Sequence, residues 1–405
     1  MGNAFSYVVG ILVAGLIVFG LRFGIQFASP AYARQVQADA VDKMSLDDLE
    51  KMLLRGSRSE QLAAITAIGK GDDQLDRRVE LIAAATVSTD LSIGSTCKLS
   101  IERMGDKAKP SIRKLLESSD PATRRTACGV IRYLGTSGDE FAPDMIKLLK
   151  EGDRNERHAA IYAIQDMSAE AIVPALEYVI KELDDPNFNT QCIACLVLRQ
   201  MGSSAEPAVA RLVQLLQEGN VSSRSRAAEA LAAIGPVEGY DIPGLVAERL
   251  KAFSYMEKVR ALDALGDLGP NASTHVEEIG KLMRTPKLNT QAAAALAYFR
   301  VTGKSDEPVD LLLSLLKNKS TRLTAIECLG GFGEAAAEAV PALIEFLDDE
   351  ELANCETAAL TLKSIGPPAV AALPKLKKLL QHEDYLITVA AQEAIDAISS
   401  DNADQ

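Results

Sequence analysis

The residues of this chain that could do chemistry are few and scattered. Six cysteines occur, Cys97, Cys128, Cys192, Cys195, Cys328 and Cys355. Cys192-Ile193-Ala194-Cys195 is an isolated C-x-x-C. A structural zinc site needs four ligands, commonly a second such pair, and a redox dithiol usually opens a helix that follows a strand. Neither context is present, so the thiols read as core residues, because a buried thiol packs like a small hydrophobe. Their scatter is unlike a disulfide framework and fits a reducing compartment. His158, His275 and His382 lie far apart, and no H-E-x-x-H occurs. Gly330-Gly331-x-Gly333 is a fragment of a phosphate loop in composition only. It closes a helix instead of joining strand to helix, so the backbone cradle would not form. No serine or cysteine nucleophile has a partner that sequence reveals. The sequence predicts no catalytic residue, no metal ligand and no cofactor.

What positions these residues is a repeated unit, clearest over residues 203–235. Pro207 stands at the front of a first helix, where its fixed φ suits and its missing N–H costs nothing. Val209, Leu212, Val213 and Leu216 form one apolar stripe at spacings of three and four. Gly219 and Asn220 break the helix, and Ser222 or Ser223 is expected to cap the next. Ala227, Leu231 and Ile234 form the second stripe, and Gly235 closes the unit. Front prolines recur at Pro110, Pro143, Pro174, Pro243, Pro308, Pro341 and Pro374, with Val276 in the one gap. Closing glycines recur at Gly69, Gly105, Gly135, Gly202, Gly269, Gly303, Gly333 and Gly366, with Ser168 and Ser399 standing in twice. A period of about 30 to 36 residues signals a stacked array, because one helix pair cannot bury its apolar face alone. The expected fold is all-α: an α-solenoid of about ten to eleven units over residues 45–399, preceded by one transmembrane helix.

A basic residue lies eleven before most closing positions: Arg58, Arg124, Arg157, Arg224, Lys258 and Arg322. Gln191 fills the slot in its unit, and Gln291 does so one residue out of register. Gly94, Cys355 and Thr388 interrupt the ladder. Together with the A-x-P-x-L-x-x-L-L first helix, approximated by Ala205 to Leu215 and Ala339 to Leu347, this pattern resembles the HEAT family. Within it, the pattern resembles the shorter HEAT-like repeats of phycobilisome lyases. The resemblance covers about 85% of the chain. It implies that the ladder links turn to turn between units, with the turn acids Asp120, Asp153 and Asp185. The functional alternative makes Arg124, Arg157, Gln191, Arg224, Lys258, Gln291 and Arg322 a partner-binding stripe.

Composition narrows the partners. The 405-residue chain carries a net charge of −13, and 47% of its residues are apolar but only 5% aromatic. A phosphate-binding surface needs clustered Lys and Arg, and base recognition needs aromatic platforms. Nucleic acid is therefore not an expected partner, and no small-molecule substrate is evident.

Residues 4–21 are apolar or small without a charge, and at a helical rise they would span about 27 Å. Phe23, Ile25 and Phe27 extend the stretch past Arg22. Residues 1–28 are expected to form a retained membrane anchor, 29–44 a linker, and 400–405 a polar tail. Ala31-Tyr32-Ala33 has the small-x-small form of a cleavage site, which keeps an export signal as the competing reading. Arg22 and Arg34 follow the span and no basic residue precedes it, so the solenoid is expected on the cytoplasmic side. Gly20 and Gly24 match a helix-packing form.

Lesser features carry expectations too. FNTQ at 188–191 and LNTQ at 288–291 read as capping sequences. The loop 236–243 has its tip at Gly239 and Tyr240, and Asp348 to Glu351 reads as a solvated acidic turn. The sequence thus predicts a membrane-anchored HEAT-repeat scaffold or accessory subunit of a larger membrane complex, non-catalytic, that docks other proteins. The alternatives are a bilin lyase-like enzyme, implied by the resemblance alone, and an exported soluble binding protein.

Overall fold

The computed structural model describes residues 40–88, 90–252 and 254–400. The apolar stretch 4–28, the packing glycines Gly20 and Gly24, most of the linker and the tail lie outside the described residues. Among the described residues, no helix is long and apolar enough to cross a membrane. They form no strand, only an isolated bridge between Val237 and Tyr240.

The helices come in pairs consistent with an α-solenoid. They are α1 Leu46–Arg55, α2 Arg58–Lys70, α3 Leu75–Ala85, α4 Leu91–Met104, α5 Lys109–Leu116, α6 Pro121–Leu134, α7 Ala142–Glu151 and α8 Arg154–Ile164. There follow α9 Ala169–Ile172, α10 Leu176–Glu182, α11 Phe188–Met201, α12 Val209–Glu218, α13 Val221–Ile234, α14 Ile242–Ala247, α15 Tyr255–Leu268 and α16 Val276–Leu282. The series ends with α17 Leu288–Thr302, α18 Asp306–Leu315, α19 Arg322–Gly330, α20 Val340–Phe346, α21 Leu352–Ile365, α22 Leu373–Leu379 and α23 Tyr385–Ser399. The described residues divide into two compact units, one of 40–144 with 153–166, the other of 145–152 with 167–400.

The unit around α13 explains the grammar. Asn220 caps the helix, its side chain accepting the Ser223 N–H at 2.9 Å. This corrects the expected cap at Ser222 or Ser223: Asn220, where the preceding turn ends, takes the cap, so Ser223 falls inside the helix and is fully buried. Gly235 closes the helix at φ 86°, in the left-handed region that an L side chain avoids. Eight of the expected closing glycines share a positive φ. Gly69 does not: it lies inside α2, where a Cβ would stand 2.5 Å from the Ser100 Cβ, and Gly71 ends that helix. Its role is close approach of α2 to α4. Ser168 likewise caps α9 and closes nothing.

Pro207 sits within a 3-10 turn, Gly202–Ala208, that precedes α12. Most other front prolines occupy the second helical position, as Pro110, Pro243, Pro341 and Pro374 do.

In the second unit an interior second helix packs on its own first helix and on the second helices either side, as α13 does on α12, α11 and α15. A helix covered on three sides needs small residues around most of its circumference. Hence α13 buries Ala227, Ala228, Ala230 and Ala232, and α17 buries Ala292, Ala293, Ala294, Ala295 and Ala297. Where first helices are amphipathic the larger side chains do the filling, with Leu212 of α12 and Leu312 of α18 fully buried. Truncating such a leucine to alanine typically costs about 2–5 kcal/mol.

Candidate protein-interaction surface

Five of the ladder positions share one duty. Each side chain stands in the first turn of a second helix and bonds a backbone carbonyl in the turn just before it. Arg124 donates to the Ser118 carbonyl at 2.6 Å, Gln191 to Asp185 at 3.0 Å, and Arg224 to Gly219 at 2.7 Å. Gln291 donates to Thr285 at 2.6 Å and Arg322 to Leu316 at 3.2 Å. Two of the three interruptions conform as well: the Cys355 thiol donates to Leu347 at 3.1 Å and the Thr388 hydroxyl to His382 at 3.3 Å. Carbonyls at a helix C-terminus lack intrahelical donors, and these side chains supply them.

The arginines have nitrogens to spare and reach the following repeat. In the first unit Arg58 bonds Asp90 at 2.6 Å, and Arg124 bonds Glu156 at 2.7 Å. In the second, Arg224 grips Glu257, and Arg322 meets Asp349 at 3.3 Å while its guanidinium stacks on Phe346. The inter-repeat acid for Arg124 is thus Glu156, while Asp120 and Asp153 cap their own helices. Gln191 joins in without a charge, accepting the Ser223 hydroxyl at 2.7 Å. Arg157 is half-buried in the first turn of α8. Lys258 is half-buried and makes no ion pair with a described residue.

The capping sequences differ from expectation. Asn187 caps α11, and Asn189 and Thr190 fall inside it. Lys287 precedes α17 without a side-chain cap. The acidic turn is only partly solvated, since Asp348 pairs with Lys375 and Asp349 with Arg322.

Sequence reasoning missed a belt of charge across α11, α13, α15 and α17. Glu229 is buried and accepts Arg226 at 2.8 Å and also Arg260, with Arg199 at 4.0 Å. Asp267 receives Arg300 at 3.1 Å and Arg199 at 3.7 Å, so Arg199 reaches past α13 to the helix beyond. Asp263, between them, accepts no hydrogen bond from a described residue. Burial pushes its carboxyl up to about 6, Arg300 opposing, and Asp267 and Glu229 adding to the rise. The available signal was Arg226 and Glu229 one turn apart, echoed by Arg260 and Asp263.

A second surface feature lies at the starts of six second helices, α4, α11, α13, α15, α21 and α23. Leu91, Phe188, Val221, Tyr255, Met256, Leu352, Tyr385 and Leu386 are large, apolar or aromatic, and exposed. Each is the first or second residue of a second helix. Tyr385 is 77% exposed, so packing does not account for it.

Burial governs the six thiols. Burial raises Cys97, Cys128 and Cys328 to about 12, and Cys192, Cys195 and Cys355 also shift upward for the same reason. Thiols so placed stay protonated. Among the described residues no group of three or more His, Cys, Asp or Glu could hold a metal ion.

A family model of HEAT repeats matches residues 309–398, from α18 to α23. No curated protein matches the chain. Among solved structures, it is similar to the crystal structure of an engineered protein, at 21% identity over 88% of this chain and 99% of that one, with a TM-score of 0.38. A likeness that loose carries no argument.

Proposed function

We propose that this protein is a membrane-tethered, non-catalytic HEAT-repeat scaffold or accessory subunit that binds other proteins along its second helices. The observation that carries the reading is the pairing of HEAT repeats, a protein-interaction architecture, with exposed apolar side chains at the starts of those helices. Isolated exposed leucines are ordinary, but a recurrent set at one helical position is a contact feature. The apolar stretch 4–28 supplies the tether, and Arg22 with Arg34 supports a cytoplasmic solenoid.

Within this reading the ladder divides. Arg124, Gln191, Arg224, Gln291 and Arg322 spend bonds on the turns and contribute to a partner only through their exposed edges. Lys258 keeps its ammonium for one.

The test is the intact mass of the protein purified from membranes in mild detergent, with co-purifying chains identified in the same run. A full-length mass with stoichiometric companions is expected. A mass beginning near Arg34 from the soluble fraction would instead mean that the apolar stretch was an export signal, ended at Ala31-Tyr32-Ala33.

A further inference from the structure

The rim of α11, α13 and α15 has a feature that the scaffold reading does not require. The first turns of these helices are tied side by side, α11 to α13 by the Ser223–Gln191 bond and α13 to α15 by Arg224 and Glu257. Phe188, Val221 and Tyr255, the first residues of the three helices, therefore stand in a row, 46%, 41% and 39% exposed. Between Val221 and Ser254 opens a cavity of about 470 Å³, whose lining includes Arg249 and Lys251.

Arg249 is the anomaly. Its side chain is 24% exposed, yet its two ion pairs, to Glu248 and Glu257, are both 3.9 Å long. Its Nε is buried with no hydrogen-bond partner among the described residues. A guanidinium offers five donors in a planar fork suited to a carboxylate. The Nε is enclosed beyond a ligand's reach, but Nη1 and Nη2, held only by the two 3.9 Å pairs, are left for one. Glu257 meets the Arg249 guanidinium only at 3.9 Å, because that carboxylate is turned to Arg224, which holds its two oxygens at 2.8 and 3.2 Å. With the Arg224–Glu257 pair internally neutral, the lining left over is Arg249 and Lys251 against Glu248, a net positive charge in a chain that is otherwise acidic.

We propose that this cavity receives a carboxylate side chain from an extended segment of a partner protein, whose apolar side chains rest on Phe188, Val221 and Tyr255. The proposal rests on the scaffold reading and adds to it the chemistry of the partner: one acidic residue set between apolar ones. An extended segment can lay its side chains across a rim of successive helix starts. The carboxylate fixes register and the apolar row supplies area.

The probe is an arrayed set of synthetic twelve-residue peptides, each with aspartate, glutamate, asparagine or lysine between two leucines or phenylalanines. They are titrated into the full chain in detergent micelles and read by fluorescence anisotropy. Acidic peptides are expected to bind about tenfold or more tightly than their amide counterparts, the scale of one charge pair at an interface. Arg249→Ala should abolish that preference and Arg249→Lys restore part of it. Lys251→Glu, a change at an exposed position with no packing duty, should weaken the same peptides while circular dichroism stays unchanged. Equal binding of acid and amide, or no binding by any peptide, overturns the proposal. So does displacement by inorganic phosphate with no sequence preference, which would assign the cavity to a free anion. A companion protein that co-purifies undiminished with the Arg249→Ala and Lys251→Glu chains would end this proposal and leave the scaffold reading standing.

Discussion

Arg224 and Glu257, 33 residues apart, are joined by two bonds, Nε to Oε1 at 2.8 Å and Nη2 to Oε2 at 3.2 Å. The remaining nitrogen of Arg224 closes the turn of its own repeat at the Gly219 carbonyl. One side chain thus caps a helix end and staples the next repeat. Glu257 is 2% exposed, and the Arg224 guanidinium is held further toward its charged form by the bonds to that carboxylate. Breaking a buried pair from one side leaves an uncompensated charge and costs roughly 3–5 kcal/mol, whereas replacing both partners by apolar groups is often near neutral. Arg224→Ala should therefore destabilise strongly, and Arg224→Met with Glu257→Leu should recover most of the loss. Hydrogen exchange in the first turns of α13 and α15 reads this directly. Equal protection in the single and double variants would show that the pair is not coupled.

Gly69 tests close packing in the first unit. Gly69→Ala places a methyl 2.5 Å from the Ser100 Cβ, and overpacking of this kind costs about 1–3 kcal/mol. Ser100→Gly should relieve part of it, not all, since the Ser100 hydroxyl also bonds the Ile65 carbonyl at 3.1 Å. Thermal melts of the two single variants and the pair check this. A Gly69→Ala chain as stable as the parent would contradict the close approach of α2 and α4.

The period was legible in the sequence because backbone constraints repeat. Glycine takes with least strain the positive φ that follows eight of the second helices, so Gly105 through Gly366 mark those units. The ladder slot was legible because its duty is local. Gly69 was misread because a glycine at a helix end looks the same whether it turns the chain or admits a neighbour. Ser223 was misread because Asn220 one turn earlier competes for the same N–H groups. The Glu229 belt and Arg249 were not legible. Glu229 and Arg260 are 31 residues apart, and their pairing depends on how α13 stacks on α15. Arg249 falls in a 3-10 turn after the shortened helix α14, a place the repeat does not predict.

Asp263 makes stability depend on pH with an unusual sign. Its folded pKa is raised from 3.8 to about 6, so the folded state holds a proton that the unfolded state releases. The stabilising contribution is complete below about pH 4, is lost as pH rises through 6, and stays lost above that. A rise of about two units corresponds to at most about 3 kcal/mol. Asp263→Asn should stabilise the chain at pH 7.5 by on the order of 1–3 kcal/mol, and the difference should vanish near pH 4. Denaturant midpoints across that range check it. A variant less stable than the parent at pH 7.5 would mean that the Arg300 and Arg260 attraction outweighs burial.

The thiols predict a labelling order. Cys192 is half-buried, whereas Cys97, Cys128, Cys195, Cys328 and Cys355 are buried. A maleimide should modify Cys192 first in the native protein and the others only in denaturant, as intact mass would read. Rapid native labelling of Cys128 or Cys195 would contradict the packing of the second helices.

The most direct test of the scaffold account is quantitative co-purification of the full chain from its own membranes, beside a Phe188→Ser, Tyr255→Ser variant. Both side chains are exposed, so the variant should keep the parent's circular dichroism and melting behaviour. The account predicts companion proteins at fixed stoichiometry with the parent, and their loss or sharp reduction with the variant. A parent chain that purifies alone, or companions retained in full by the rim variant, would contradict it.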